Sequence, residues 1–197
     1  MRIAFVRHGP TAWNAAQRIQ GRTDTPLSPE GRRVMAALLP PRGFETAWGY
    51  VSPLLRARET AELLGIEHPT VDARLAEHDW GRWEGLTREE ILARDGSDAF
   101  ERAGRGLDFT PPGGERTSDL VARVRSFLDD AAEVQRDAVA IAHRGILRSA
   151  YAIVTGWDML TPMPEALDLS KALVLGLGRG APIIAGLNEP LQVRKGG

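Results

Sequence analysis

Two short apolar runs, Ile3-Ala4-Phe5-Val6 and Ala138-Val139-Ala140-Ile141-Ala142, each give way to a histidine and a glycine-bearing turn. Four or five consecutive apolar residues do not suit a strand with one wet face. They predict strands buried on both faces, as in a parallel sheet. The first strand, over Arg2 to Val6, leads into Arg7-His8-Gly9, and the second into His143-Arg144-Gly145. A cation and an imidazole therefore stand where the chain leaves the sheet. In open α/β sheets, ligands sit outside the carboxyl ends of the strands. Arginine grips phosphate through two parallel hydrogen bonds, histidine titrates near neutrality, and glycine allows a sharp turn or a close approach. The pattern points to phosphate chemistry run by a histidine.

Helix signals alternate with these strands. Ser28 as N-cap and Pro29 at the first helical position predict a helix to about Leu39, stopped by Pro40-Pro41. Ala47 to Val51 reads as another strand. Ser52-Pro53 repeats the cap-plus-proline signal for a helix to about Leu64, ended by Gly65. Thr87-Arg88-Glu89-Glu90 is a capping-box pattern for a short helix. The Gly- and Pro-rich stretch 95–115 is expected to form loops with a helical turn. Leu120, Val121, Val124, Phe127, Leu128 and Ala131 share one face of a helix over 117–134, and a further helix is expected over 146–154. The tail segments 167–169, 172–177 and 182–187 read as one or two more strands. This alternation predicts an α/β fold: a three-layer α/β/α sandwich with a mostly parallel central sheet, formed by residues 1–197 as one domain.

The formal net charge of −1 gives no general pull toward nucleic acid or an anionic membrane. All but two of the 25 Lys and Arg residues are arginines, the exceptions being Lys171 and Lys195. The chain has no cysteine, which removes disulfides, thiolate nucleophiles and zinc-thiolate sites. That composition is compatible with the cytoplasm. The chain enters its first apolar strand at once, so a secretory leader is not expected. No apolar run approaches the roughly 20 residues of a membrane span.

Four histidines are present: His8, His68, His78 and His143. His8 and His143 occupy equivalent places after apolar strands, which marks them as a site rather than as structural residues. His68, before Pro69 in a polar loop, is expected to face solvent. His78 sits among carboxylates and is harder to dismiss. Arg56 falls in the first turn of a helix after the strand ending at Val51, where free backbone N–H groups favour an anion. Arg58 reads first as an exposed helix residue, with a second anion as its alternative use. Glu77, Asp79 and Glu84 are interleaved with Trp80 and Trp83. Aromatic walls raise a carboxyl pKa and suit a general acid, but spacing does not say which carboxylate acts. No local ligand spacing supports a metal, no Gly-x-Ser-x-Gly elbow supports a serine triad, and no Gly-x-Gly-x-x-Gly or Walker lysine supports a nucleotide cradle.

Six blocks in order resemble the histidine phosphatase superfamily, which includes cofactor-dependent phosphoglycerate mutases. They are Arg7-His8-Gly9-x-Thr11-x-Trp13-Asn14, Gln20-Gly21-x-x-Asp24-x-Pro26-Leu27-Ser28-x-x-Gly31, and Ser52-x-Leu54-x-Arg56-Ala57-x-x-Thr60-Ala61. Glu77-x-x-x-Gly81-x-x-Glu84-Gly85, Pro112-Gly113-Gly114-Glu115 and Ala142-His143-x-Gly145-x-x-Arg148 complete the set. The resemblance implies a phosphoglycerate mutase-like fold and a phosphomonoesterase that works without metal or other cofactor. It implies His8 as nucleophile, Arg7, Arg56 and His143 around the phosphoryl oxygens, and Glu77 as the acid for the leaving oxygen. Asn14, Gln20, Gly21, Arg58, Arg144 and Gly145 are the implied substrate-binding set, with a backbone N–H after His143 as a further donor. Members of the family are often dimers, so a homodimer is a further expectation of the resemblance.

Two departures stand out: Pro10, where many relatives carry a polar or acidic residue, and Arg144, in place of a small one. The family's mutases carry an inserted segment with a lysine and an arginine pair. Here the stretch 86–114 is short and has no lysine. A phosphatase acting on a small phosphate ester is therefore the first expectation and a mutase the alternative. A catalytically silent phosphate-binding relative is a third reading, disfavoured because His8 and Glu77 are both present.

Overall fold

In the computed structural model, which describes residues 1–163, 167–178 and 180–194, the two apolar runs lie side by side at the centre of a six-stranded sheet. β1 (Arg2–Arg7) leads through a single turn of helix, α1 (Ala12–Ala15), to α2 (Pro29–Ala36) and the short β2 (Leu38–Pro41). β3 (Trp48–Val51) feeds α3 (Leu55–Leu63), then β4 (Thr70–Val71). α4 (Arg88–Asp95) and α5 (Ala99–Arg102) precede the long α6 (Thr117–Glu133), β5 (Ala138–Ala142) and α7 (Arg144–Thr155). β6 (Ala172–Gly176), β7 (Ile183–Glu189) and β8 (Leu191–Val193) close the chain. The sheet order is β4-β3-β5-β1-β6-β7. The first four strands run parallel, and β6 and β7 are added antiparallel at one edge.

Burial on both faces of the central strands divides the core in two. Ile3 and Phe5 of β1 and Ala138, Ala140 and Ala142 of β5 face α6 and α7. Ala4, Val6, Val139 and Ile141 face the other way, toward Met35 of α2 and Ala57 and Ala61 of α3. The period-two alternation of side chains makes this division automatic. Ala140 lies in register between Phe5 and Tyr50. Its small side chain leaves room for Phe127 of α6, whose ring meets both neighbours edge-on at centroid distances of 6.2 and 5.2 Å.

Several local expectations are corrected. α2 ends at Ala36, and Pro40 and Pro41, expected only to stop it, belong to β2, which pairs with β8 in a second small sheet. Proline is tolerated there because such an edge strand leaves N–H positions unpaired. Ser52 does not cap α3: the N-cap is Leu54, without a side-chain bond. The segment 167–169 is not a strand; Asp168, Leu169 and Ser170 instead line a cavity beside His8. Thr87 does form the expected capping box with Glu90.

Candidate functional site

The three strands β3, β5 and β1 end in one row. Arg7 pairs with Ala142, Val51 with Ile141. The ladder runs one step further, with His8 N–H donating to Ala142 O at 2.9 Å and Ser52 N–H to Ile141 O at 3.0 Å. Ser52, His143 and His8 therefore leave the sheet as neighbours, and the two imidazole centroids are 5.1 Å apart.

Each ring is fixed by one nitrogen. His8 Nδ1 lies 2.7 Å from Gly9 O. A carbonyl only accepts, so Nδ1 carries the proton and Nε2 keeps its lone pair. His143 Nε2 lies 2.7 Å from Ser52 Oγ, and that hydroxyl accepts Leu54 N–H. A Ser52 hydroxyl proton aimed at Nε2 leaves the ring proton on Nδ1, which is buried without a partner. Burial is the main force on both protonation states. It lowers His8 to about 3, with Arg56 and then Arg7 adding charge repulsion. It holds His143 well below its ordinary value, reinforced by His8, Arg56 and Arg7.

Arg56 is fully buried on the first turn of α3. Its Nη1 donates to Thr23 O at 2.9 Å and its Nη2 to Gly21 O at 2.7 Å. Burial lowers the pKa of Arg56 and of Arg7 from that of a free guanidinium, while Glu77 opposes the shift in both. Nε of Arg7 and Nε of Arg56 are, like His143 Nδ1, buried and without a partner. A buried donor left unmade costs about 1–3 kcal/mol. These three donors lie on side chains around the His8 imidazole: Arg7 and Arg56 are in the lining of the cavity at His8, and His143 is fully buried outside that lining.

The three carboxylates are told apart by their bonds. Glu84 is a fastener: its oxygens accept from the N–H groups of Arg22, Thr23 and Trp80 and from Thr23 Oγ1. Asp79 accepts Gly81 N–H at 2.8 Å. Glu77 alone of the three lines the cavity at His8, about 360 Å³ in volume, with Arg7, Asn14, Arg56 and Arg144. Its Oε1 accepts from the N–H of His78 at 2.9 Å and of Gly145 at 3.0 Å.

The implied binding residues separate in the same way. Asn14 lines the cavity, and its Oδ1 is taken by Thr11 N–H, which leaves the amide NH₂ as its free end. Gln20 and Gly21 line it as well. Gly21 sits at φ +53°, and a Cβ there would meet Glu84 Oε1 at 1.9 Å. Arg144 is exposed at the rim of the same cavity. Gly145 works one step back: its N–H is engaged by Glu77, and a Cβ on it would meet Glu77 Oε1 at 2.3 Å. Arg58 is exposed on α3 and is not part of the cavity lining. His68 is exposed, and His78 is buried with Nε2 against Glu115 O at 2.7 Å, a structural bond. Sequence reasoning missed Ser52 as the partner of His143, because its cap signal was equally plausible. It also missed Trp13, Gln17 and Arg18 in the lining; Trp13 stands in the first motif block and could have been found there, whereas Gln17 and Arg18 carry no sequence signal.

Paired neutral imidazoles and buried guanidiniums at the carboxyl end of a mostly parallel sheet define a class of α/β protein built around a phosphate-sized anion. Residues 3–190 match the histidine phosphatase superfamily (branch 1), and the chain belongs to that family. It is 30% identical over 205 aligned positions to a 2,3-bisphosphoglycerate-dependent phosphoglycerate mutase of Azorhizobium caulinodans, covering 97% of this chain and 94% of the relative. It is 33% identical over 184 positions to a glucosyl-3-phosphoglycerate phosphatase of Mycobacterium tuberculosis, covering 84% and 82%. A mycobacterial glucosyl-3-phosphoglycerate phosphatase solved in complex with VO3 superposes with a TM-score of 0.76 at 28% identity, covering 95% of this chain and 98% of that one.

Proposed function

We propose that this protein hydrolyses small phosphomonoesters through a phosphohistidine on His8, without metal. The observation that carries the reading is the set of unpartnered nitrogens, Arg7 Nε, Arg56 Nε and His143 Nδ1, on side chains around an imidazole kept neutral by burial. His8 Nε2 attacks phosphorus; the N–P bond forms as the bond to the leaving oxygen breaks, and the proton on the Glu77 carboxyl passes to that oxygen. A water then attacks the phosphohistidine, gives its proton to the Glu77 carboxylate, and the N–P bond breaks to free phosphate. Two displacements in one pocket let the same donors serve both steps. Phosphoryl transfer depends chiefly on positioning and on neutralising equatorial oxygen charge, and the two arginines supply that charge.

The glucosyl-3-phosphoglycerate phosphatase relatives support a phosphatase. Near-full-length likeness to phosphoglycerate mutases keeps isomerisation as a second reading. The short, lysine-free stretch 86–114 favours hydrolysis. We read the chain as one catalytic unit. The test is turnover of p-nitrophenyl phosphate in excess chelator, with an acid-labile phosphoenzyme trapped from the wild type and not from His8→Ala. No turnover between acid and neutral pH would sink the enzyme reading. Isomerisation of phosphoglycerate faster than phosphate release would replace phosphatase by mutase.

A further inference from the structure

A second cavity, of about 390 Å³, shares Glu77, Trp80 and Arg144 with the cavity at His8. An ester seated with its phosphorus at His8 Nε2 and its leaving oxygen at Glu77 therefore has its alcohol directed here. One wall is aromatic, with Trp80 and Phe109 5.4 Å apart between centroids. α7 contributes Arg144, Arg148 and Ser149 to the same lining. Arg144 and Arg148 are one turn apart, on the same face of the helix. Among the described residues neither guanidinium forms an ion pair with a carboxylate, whereas Arg22, Arg116 and Arg123 do. Glu77 is the carboxylate nearest in effect, and its oxygens already serve His78 and Gly145. The Arg148 guanidinium lies over the Trp157 ring at 5.1 Å, which fixes the group and leaves its N–H donors unspent. Ser149, a residue of the same lining, is fully buried, and its Oγ has no partner.

Two cations without an ion pair and an unused hydroxyl on one helix, in a lining that also holds aromatic rings, describe a receptor for an organic anion. We propose that this cavity is the leaving-group subsite, and that Arg144, Arg148 and Ser149 select phosphomonoesters whose alcohol carries a second anionic group, a carboxylate or a phosphate. The inference rests on the phosphomonoesterase reading above. It gives Arg144, one of the two departures from the family pattern, a part in specificity.

The test compares kcat/KM for phosphate release from phenyl phosphate, 4-carboxyphenyl phosphate and 1,4-phenylene bisphosphate, three esters of similar shape. The wild type is expected to favour at least one charged ester over phenyl phosphate by about tenfold or more, the worth of one charge-assisted hydrogen bond. A gain confined to one of them assigns the second group as carboxylate or as phosphate. Arg144→Glu is expected to erase the preference and Arg144→Lys to keep part of it. Ser149→Ala, a small change that spares the fold, is expected to weaken it severalfold. Equal kcat/KM on all three esters, with the ratio unmoved in Arg144→Glu, would overturn the subsite while leaving the phosphatase standing. Silence of the wild type on all three would overturn the phosphatase reading and the subsite with it.

Discussion

Around His8 the polar groups are pinned by backbone at the ends of strands, whereas around Phe109 the wall consists of aromatic side chains brought in by loops and short helical segments. His8 and Ser52 continue the sheet's own ladder, and Arg56 is locked onto two carbonyls. Trp80, Trp83, Phe100 and Phe109 instead stack on one another, with Trp83 against Ile91 and Ala99 beneath. Ladder hydrogen bonds fix positions closely, while hydrophobic packing tolerates exchange of residues of similar volume. On the proposed reading the floor runs the reaction, and the aromatic residues shape the space beside it in which α7 presents Arg144 and Arg148.

Five measurements break or sharpen that contrast. His8→Ala is expected to lower kcat by at least about 10⁴-fold, the scale of removing a nucleophile; residual turnover near wild type would show that the floor is not the reacting end. Glu77→Gln is expected to lower kcat by about 10²–10⁴-fold on alkyl phosphates. The loss on p-nitrophenyl phosphate should be smaller, because that leaving group departs without a proton; equal losses would deny Glu77 the role of acid. Gly21→Ala forces a side chain onto a left-handed backbone and into Glu84. It should destabilise by about 2 kcal/mol or more, read as a fall in Tm of roughly 4–8 °C.

The fourth measurement concerns pH. An unfolded His8 takes up a proton as the pH falls through 6.5, and the folded ring does so only near 3. The unfolded chain thus binds more protons between these values, so stability is full above 6.5 and declines as the pH drops toward 3. The slope is about 1.4 kcal/mol per pH unit from His8 alone, with His143 acting in the same sense. Urea unfolding at pH 7, 6 and 5 should show a shallower decline for His8→Asn than for the wild type. Last, Arg58→Ala should change stability by less than about 0.5 kcal/mol and leave kcat/KM within twofold, since the residue is exposed on α3 and outside the cavity lining.

That last residue shows what could have been read earlier. Arg56 and Arg58 are two positions apart on a helix, and such residues do not share a face; once Arg56 was assigned inward, Arg58 had to point away. The central strands and the paired imidazoles were legible because both faces of β1 and β5 are buried, which leaves an unbroken apolar run in the sequence. The carboxylates were not, because what separates Glu77, Asp79 and Glu84 is the donors they meet and the cavity that only Glu77 of the three lines, both set largely by contacts distant in sequence. Glu84 serves the loop that holds Arg56, a contact between residues about sixty positions apart. β2 was hidden because Pro40-Pro41 breaks a helix and also suits an edge strand. Ser52 was misread for a similar reason: its hydroxyl could serve its own helix or a neighbouring strand end, and the folded chain gives it to His143.

The 5.1 Å between the two imidazoles is close to the spacing of adjacent strands, about 4.8 Å. The gauge of the reaction chamber is thus borrowed from the hydrogen-bonded lattice beneath it. A peptide repeat common to every sheet calibrates the separation of the two rings, so descendants of this scaffold can exchange their loops freely without having to measure it out again.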